Sequence, residues 1–229
     1  MTGWGSFAVA GLAFLLTHFV PARPAIRARL IATLGRRLWF SLYGLISLAV
    51  TAWVIAAASQ APFVELWPQL PWTRWVPNLI MPIAIALAVS GLPSRTVTLG
   101  GRRTPRVDVA DPGLAALTRH PLLWALALWS GSHLLPNGDL AHVLLFGGFL
   151  AMALAGMAAF DRRARTRLSA EEAGAYFAST AIFAPRALVR ATSGRWDRGN
   201  LARLILALGL WPALLLLHPY VIGLSPLPI

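Results

Sequence analysis

Five histidines are the side chains of this sequence that could do chemistry in an otherwise apolar chain: His18, His120, His133, His142 and His218. An ionisable side chain inside a membrane is costly, so each one needs a reason to be there. Neutral imidazole is a good ligand for haem iron, and two histidines on facing helices can hold a haem between them. A single membrane histidine can also simply hydrogen-bond to a neighbouring helix, and both interpretations stay open for each of the five.

The depth of each histidine is estimated from its distance along the chain to the nearest arginine. His18 lies five residues before Arg23, which places it about 8 Å inside the arginine-rich interface of the membrane. His120 follows Arg119 directly and lies near that interface, whereas His133 lies about 20 Å deeper if the helix is continuous. Depth alone therefore pairs His18 with His120 and leaves the other three histidines towards the opposite side.

Three arginines near the inner histidines could bind the propionates of a haem: Arg23, Arg27 and Arg119. The same side chains could instead pair with lipid headgroups. No cysteine occurs in the chain, which excludes disulfides, thiolate metal sites, iron–sulfur clusters and cysteine nucleophiles.

The composition indicates that membrane helices position these residues. Hydrophobic residues make up 57% of the 229 residues, charged residues make up only 12%, and all 20 basic residues are arginine. A soluble domain carries about twice that share of charge. The net charge of +12 is spread over arginines between apolar runs, which suits lipid headgroups and argues against a nucleic-acid partner.

The sequence predicts an all-α fold, a polytopic integral membrane bundle of about six transmembrane helices that forms a single domain over residues 1–229. Apolar runs of roughly 17–25 residues are long enough to cross hydrocarbon as helices. A further amphipathic stretch at 169–190, flanked by arginines, predicts an interfacial helix on the cytoplasmic side. The predicted spans are 4–20, 38–59, 76–92, 112–135, 140–160 and 201–223.

The arginines predict the orientation of the bundle. Arg74 is the only arginine on one side of the predicted membrane, and the other arginines all lie in stretches on the opposite side. Cytoplasmic loops carry the excess of basic residues. The arginine-rich loops are therefore expected in the cytoplasm, and both termini are expected outside it.

Several motifs, taken in order and spacing, resemble the NnrU family over about residues 4–190. They are HFVPARP at 18–24, LGRR at 34–37, RHP at 119–121, HLL at 133–135, LFG at 145–147 and DRR at 161–163. The resemblance implies a bacterial inner-membrane protein that is associated with denitrification, specifically with nitric oxide or nitrite reduction. It also implies kinship with 15-cis-zeta-carotene isomerase, a membrane haem b protein in which two histidines hold the iron.

The resemblance and the depth argument select different histidine pairs. The iron ligands of the related isomerase match His18 and His133, and the histidine of its Arg-His-Pro motif matches His120. The alpha-carbons of His18 and His133 would differ by about 12 Å in height, which two imidazoles can just cover. We therefore expect His18 and His133 to bind the iron of a haem b, with His120 as the alternative ligand.

Four functions follow as hypotheses. The first is a haem b protein that supports denitrification by carrying an electron or sensing nitric oxide, and the second is a haem-dependent cis–trans isomerase of a carotenoid-like polyene. The third is a methyltransferase, because Arg119-His120-Pro121 followed by Glu171-Glu172 and Tyr176 is similar to isoprenylcysteine carboxyl methyltransferases, which bind S-adenosylmethionine. The fourth is an assembly factor without a cofactor. The lipid bilayer is the expected partner in each case, and nothing in the sequence identifies a protein partner.

Overall fold

The computed structural model of the protein describes residues 3–92, 114–185 and 198–228. The described residues form helices and contain no β-strand; Glu65 and Asp139 form an isolated bridge. A short 3₁₀ helix at Pro71–Arg74 leads into α4. The helices are α1 (Gly3–Phe19), α2 (Pro24–Leu34), α3 (Arg36–Ser59), α4 (Trp75–Gly91), α5 (Leu114–Leu117), α6 (Pro121–Leu134), α7 (Leu140–Arg167), α8 (Ala170–Ser179) and α9 (Arg198–Ile222).

The prediction of an all-helical membrane protein is confirmed. Four stretches in the described ranges are long and apolar enough to cross a membrane, namely α3, the segment Pro71–Gly91, α7 and Leu201–Ile222. The helices α1 and α2, which meet at a bend of 79°, make a fifth if the pair counts as one span. The count of six and the interfacial position of α8 remain predictions.

The bend between α1 and α2 follows from prolines. Helix α1 ends at Phe19, just before Pro21, and Pro24 occupies the first position of α2. A proline is favourable there because the first helical N–H has no intrahelical acceptor in any case. Gly35 then joins α2 to α3 with a φ of +76°, a conformation that glycine adopts without steric cost.

The fourth predicted span, 112–135, differs from the structure because it is not one continuous helix. Residues 118–120 separate α5 from α6, and α6 alone has 14 residues. His120 has a φ of −126° and a ψ of 52° because the residue before a proline is sterically excluded from the helical region. The start of that span, at 112, lies outside the described residues.

The chain divides into two compact units. The first unit consists of Met1–Pro68 with Gly138–Leu145, and in it α1 packs against α3. The connection before the 3₁₀ helix also belongs to this unit, where the Gly138 carbonyl accepts hydrogen bonds from the N–H groups of Leu66 and Trp67.

The second unit consists of Gln69–Asn137 with Phe146–Ile229, and in it α4 packs against both α6 and α9. Ile85, Val89 and Ala207 form one buried apolar cluster of this unit. Gly91 lies where α4 meets the start of α6, because a Cβ atom at this position would come within 2.9 Å of the Pro121 ring. The start of α6, and with it residues 118–120, therefore lies close against the end of α4.

We predict that Gly91→Ala destabilises the protein by about 1–3 kcal/mol, because the added methyl group overpacks the contact with Pro121. Gly209→Ala in α9 is the matched control, since nothing lies within 4 Å of a Cβ atom there. Replacing that helical glycine should stabilise the protein by roughly 0.5–1 kcal/mol. Thermal unfolding in detergent compares the two variants, and equal shifts of the same sign would contradict the expected close contact.

Candidate functional site

Arg119, His120 and Asp161 form a buried polar cluster in the second unit. The guanidinium of Arg119 donates from Nε to Asp161 Oδ1 at 2.8 Å and from Nη2 to Asp161 Oδ2. His120 Nε2 lies 2.8 Å from the same Oδ1 atom. The side chains of Arg119 and His120 are 7% and 0% exposed, so the carboxylate neutralises a cation that water scarcely reaches.

A segment that follows α8, residues 180–185, covers this cluster and is here called the strap. It forms backbone hydrogen bonds with α5 and with the connection between α5 and α6. The bonds run from Arg119 N to Ala181 O (2.8 Å), from Ala181 N to Ala115 O (3.2 Å) and from Ala184 N to Leu117 O (2.9 Å). They satisfy backbone groups that the break in the helix leaves without intrahelical partners.

Side chains hold the strap in the same place. Arg119 Nη1 donates to the carbonyl of Thr180 at 3.3 Å, and the indole N–H of Trp124 donates to the carbonyl of Ile182 at 2.8 Å. The ring of Phe183 contacts that of Trp124, with centroids 5.2 Å apart. Arg119 therefore joins α7, the strap and the start of α6 through one guanidinium group.

Helix α8 contributes two aromatic residues to the cluster. The ring of Phe177 lies between two arginines, with the guanidinium carbons of Arg119 and Arg165 at 4.9 and 3.9 Å from its centroid. The neighbouring residue Tyr176 is buried, and burial raises the pKa of its hydroxyl to about 12. Tyr176 is thus a neutral hydroxyl group at physiological pH.

Glu172 has a structural role that accounts for one element of the methyltransferase resemblance. Its side chain accepts the N–H of Ser169 at 2.9 Å, and its own N–H donates to the Ser169 hydroxyl at 3.2 Å. This reciprocal capping box starts α8. Glu171 is exposed in the first turn, where a negative charge is favourable near the helix N-terminus.

His18 lies in the first unit, near the end of α1. Its Nδ1 atom is 2.8 Å from the carbonyl oxygen of Phe14, and its ring stacks on the Phe14 ring at 4.0 Å. A carbonyl can only accept, so Nδ1 carries the proton and Nε2 of the neutral ring carries a lone pair. The ring of Tyr43 lies edge-on at 6.3 Å.

His133 in the second unit has the same local geometry. Its Nδ1 atom is 2.7 Å from the carbonyl oxygen of Trp129, and the rings of Trp129 and Phe146 flank it at 5.8 and 5.3 Å. The lone pair is therefore on Nε2 again. For both histidines, no hydrogen bond to Nε2 exists within the described ranges, so this atom is the one that could bind a metal ion.

The other predicted site residues have different surroundings. His142 Nδ1 contacts both carboxylate oxygens of Asp139, at 2.9 and 2.8 Å, and His218 Nδ1 lies 2.8 Å from the carbonyl of Leu224. Arg23 is exposed at the start of α2, and the guanidinium of Arg27 lies 5.3 Å from the centre of the Phe40 ring. Three or more histidine, aspartate or glutamate side chains do not gather into a metal site anywhere in the described part of the chain.

The side chains of His120 and Arg119 are both bonded to Asp161, which was not predicted from the sequence as a site residue. His18 and His133 belong to different units, although their local hydrogen bonds are alike. Asp161 carried two signals: it is an acidic residue that directly precedes an arginine pair, and it ends a long apolar run. Neither signal identifies its partners, because Asp161 is 41 positions after His120, with α6, a turn and most of α7 in between.

The helices and their apolar surfaces define the class of the protein as an all-helical integral membrane protein. The family model described as NnrU protein matches residues 6–226, and the chain belongs to that family. This confirms the resemblance and extends it through α9. No curated protein and no solved structure matches the chain.

Proposed function

We propose that this NnrU-family chain is a haem b protein of the bacterial inner membrane that supports denitrification by carrying an electron or by binding nitric oxide. The observation that carries the proposal is the matching state of His18 and His133. Each donates Nδ1–H to the carbonyl four residues earlier and keeps an Nε2 lone pair beside aromatic rings. A backbone partner on the second nitrogen is the arrangement that orients histidine ligands of metals.

The two histidines fit haem iron in the chemistry of their donor atoms. Imidazole suits iron, and aromatic neighbours supply the apolar surroundings that a porphyrin requires. His120 fits less well, because Asp161 occupies its Nε2 atom and its side chain is fully buried. We therefore propose His18 and His133 as the iron ligands, in agreement with the family resemblance, and His120 as a residue of the polar cluster.

The arginines complete the proposal. Arg119 is bound to Asp161, so Arg23 and Arg27 are the better candidates for haem propionates or lipid phosphates. The positive-inside rule orients the arginine-rich loops towards the cytoplasm and both termini towards the periplasm. When bound, a haem would supply one-electron chemistry and an iron that can bind nitric oxide.

The test is an absorption spectrum of the full-length protein purified in detergent from haem-replete cells. We expect a Soret band and stoichiometric haem b by pyridine haemochrome assay. Colourless protein that also fails to take up added haemin would contradict the proposal and favour an assembly factor without a cofactor. Changes in the spectrum on adding nitric oxide would support a sensing role, and reversible reduction alone would support electron transfer.

The isomerase alternative rests on the same pair of histidines and has its own assay. Reduced holoprotein is incubated with a cis-carotene, and the isomers are separated by chromatography. A time-dependent shift from cis to trans would favour the enzyme, whereas unchanged isomers with a bound haem would favour the respiratory role.

A further inference from the structure

The buried polar cluster of Arg119, His120 and Asp161, with Tyr176 and Phe177 of α8, is here called the Arg119 cluster. It contains two buried polar atoms without hydrogen-bond partners in the described ranges of the chain. They are Nδ1 of His120 and the hydroxyl oxygen of Tyr176. His120 is 0% exposed and Tyr176 is 4% exposed, so protein rather than bulk water surrounds both side chains. Buried polar groups in folded proteins nearly always have a partner, and an exception calls for a specific explanation.

The hydrogen bonds around His120 determine what kind of partner its Nδ1 atom would need. The Asp161 carboxylate accepts two hydrogen bonds from Arg119 and is therefore ionised. An ionised carboxylate only accepts, so His120 Nε2, at 2.8 Å, must be the donor in the third contact. With the proton on Nε2, the neutral imidazole carries a lone pair on Nδ1. That atom requires a donor, an O–H or N–H group.

Tyr176 supplies the complementary group. Its hydroxyl is protonated, because burial raises its pKa to about 12, and it can donate a hydrogen bond. The next residue, Phe177, carries the Arg119 guanidinium on its ring face at 4.9 Å, and the Tyr176 carbonyl accepts the Thr180 hydroxyl at the beginning of the strap. His120 and Tyr176 both interact electrostatically with Arg119 and Asp161, so the acceptor and the donor lie near the same ion pair.

We propose that a small neutral hydroxyl group binds in the Arg119 cluster, donates its hydrogen to His120 Nδ1 and accepts the hydrogen of the Tyr176 hydroxyl. A hydroxyl group is the smallest group that both donates and accepts, and it can come from a water molecule or from a small alcohol. Charge favours a neutral ligand, because Asp161 already balances Arg119. The complete burial of His120 favours a small one. This site is separate from the histidines proposed to bind haem.

The first test compares Tyr176→Phe with Tyr220→Phe in the full-length protein by thermal unfolding in detergent. Tyr220 is 87% exposed, so its substitution reports the general effect of removing a tyrosine hydroxyl. If a ligand fills the site, Tyr176→Phe should unfold about 2–4 °C below wild type, the shift expected for a lost hydrogen bond in a chain of this size. An unchanged or higher midpoint than that of Tyr220→Phe would overturn the proposal, because removing a truly unpaired hydroxyl relieves a cost.

The second test reads the hydrogen bond in the wild-type protein itself, and a variant serves only to assign the resonance. Nitrogen-15 NMR of histidine-labelled protein reports whether the His120 Nδ1 lone pair accepts a hydrogen bond, and the spectrum of His120→Gln assigns the resonance. We expect the shift of a hydrogen-bonded, unprotonated nitrogen. A resonance at the position of an unprotonated nitrogen without a hydrogen bond would overturn the proposal.

Isotope substitution then identifies the source of the hydroxyl group. An O–H stretching band that is present in wild type, absent in Tyr176→Phe and displaced in ¹⁸O-labelled water identifies a bound water molecule. A band that is not displaced, together with an alcohol in an organic extract of the purified protein, identifies an alcohol. Both results support the site, and the absence of any such band in wild type contradicts it.

Discussion

Replacing Asp161 with alanine is expected to lower the stability of the protein by about 3–5 kcal/mol, the largest effect of any single substitution proposed for this chain. The reason is that the Arg119 side chain is 7% exposed and loses the carboxylate that binds its Nε and Nη2 atoms. Removing one partner of a buried pair leaves an uncompensated charge, which costs more than the pair contributed. The measurement is thermal unfolding in detergent, with an expected decrease of the midpoint on the order of 10 °C.

Two further variants separate the charge effect from a general loss of packing. Glu171→Ala is the matched control, because Glu171 is exposed and lies outside the capping box of α8. Its midpoint should stay within about 2 °C of wild type. The double variant Arg119→Met with Asp161→Ala should recover part of the lost stability, since the unpaired charge is gone. A double variant no more stable than Asp161→Ala would show that packing, and not charge, dominates.

We predict that His18→Ala and His133→Ala each lose most of the bound haem, whereas His120→Ala keeps it. Each of the first two variants removes an Nε2 lone pair that no protein group uses within the described residues. Removing a residue that only supports a metal ligand lowers the affinity for the metal roughly 10–100-fold. Removing the ligand itself should lower the affinity for haem at least as much. Haem is measured per folded protein, as the Soret absorbance of the monodisperse fraction relative to the protein concentration.

The matched control is His218→Ala, because His218 forms the same kind of Nδ1 bond, to the Leu224 carbonyl, but lies in a helix that supplies none of the proposed ligands. It should keep the wild-type Soret band. If His120→Ala loses haem and His133→Ala keeps it, the ligand pair is the one that the depth of the residues predicts and not the one that the family resemblance implies. Loss of haem in none of the variants would contradict the whole ligand assignment.

The sequence predicted those parts of the fold that depend on local pattern. Apolar length located the helices, and the ends of α1 and α3 agree with the predicted spans to within two residues. Prolines located the bend after α1, since a proline ends or begins a helix by its own steric requirements. Helix α7 continues seven residues past the predicted span 140–160, to Arg167. Hydropathy marks where a segment becomes polar, but a helix continues while its backbone bonds remain satisfied.

The interruption at residues 118–120 required information that no local pattern contains. A proline at position 121 marks a break by its own sterics, but the partner that makes the break stable is the strap, which follows α8. Asp161 was missed as a site residue for the same reason. Its importance comes from the buried position of Arg119 and His120, and burial is a property of the tertiary structure.

The candidate ligands were predictable as residue types but not in their protonation. A histidine in an apolar helix suggests a ligand, and the resemblance to a known family ranks the candidates. The carbonyl groups of Phe14 and Trp129 that fix the proton on Nδ1 became visible only in the structure. The same bond is available to a histidine inside a helix, whereas His120 lies between α5 and α6 and binds Asp161 through Nε2.

The pairing of the strap with the residues before α6 has a consequence for how the chain matures. The carbonyl groups of Ala115 and Leu117 and the N–H of Arg119 find their partners in Ala181 and Ala184. Ribosomes add about 5–20 residues per second, so these partners emerge roughly 3–13 s later. During that interval the junction depends on water or on the translocation machinery for its hydrogen bonds. A nascent chain released before residue 185 should therefore be recognised as incomplete by membrane quality-control proteases, even though most of its apolar helices have already been made.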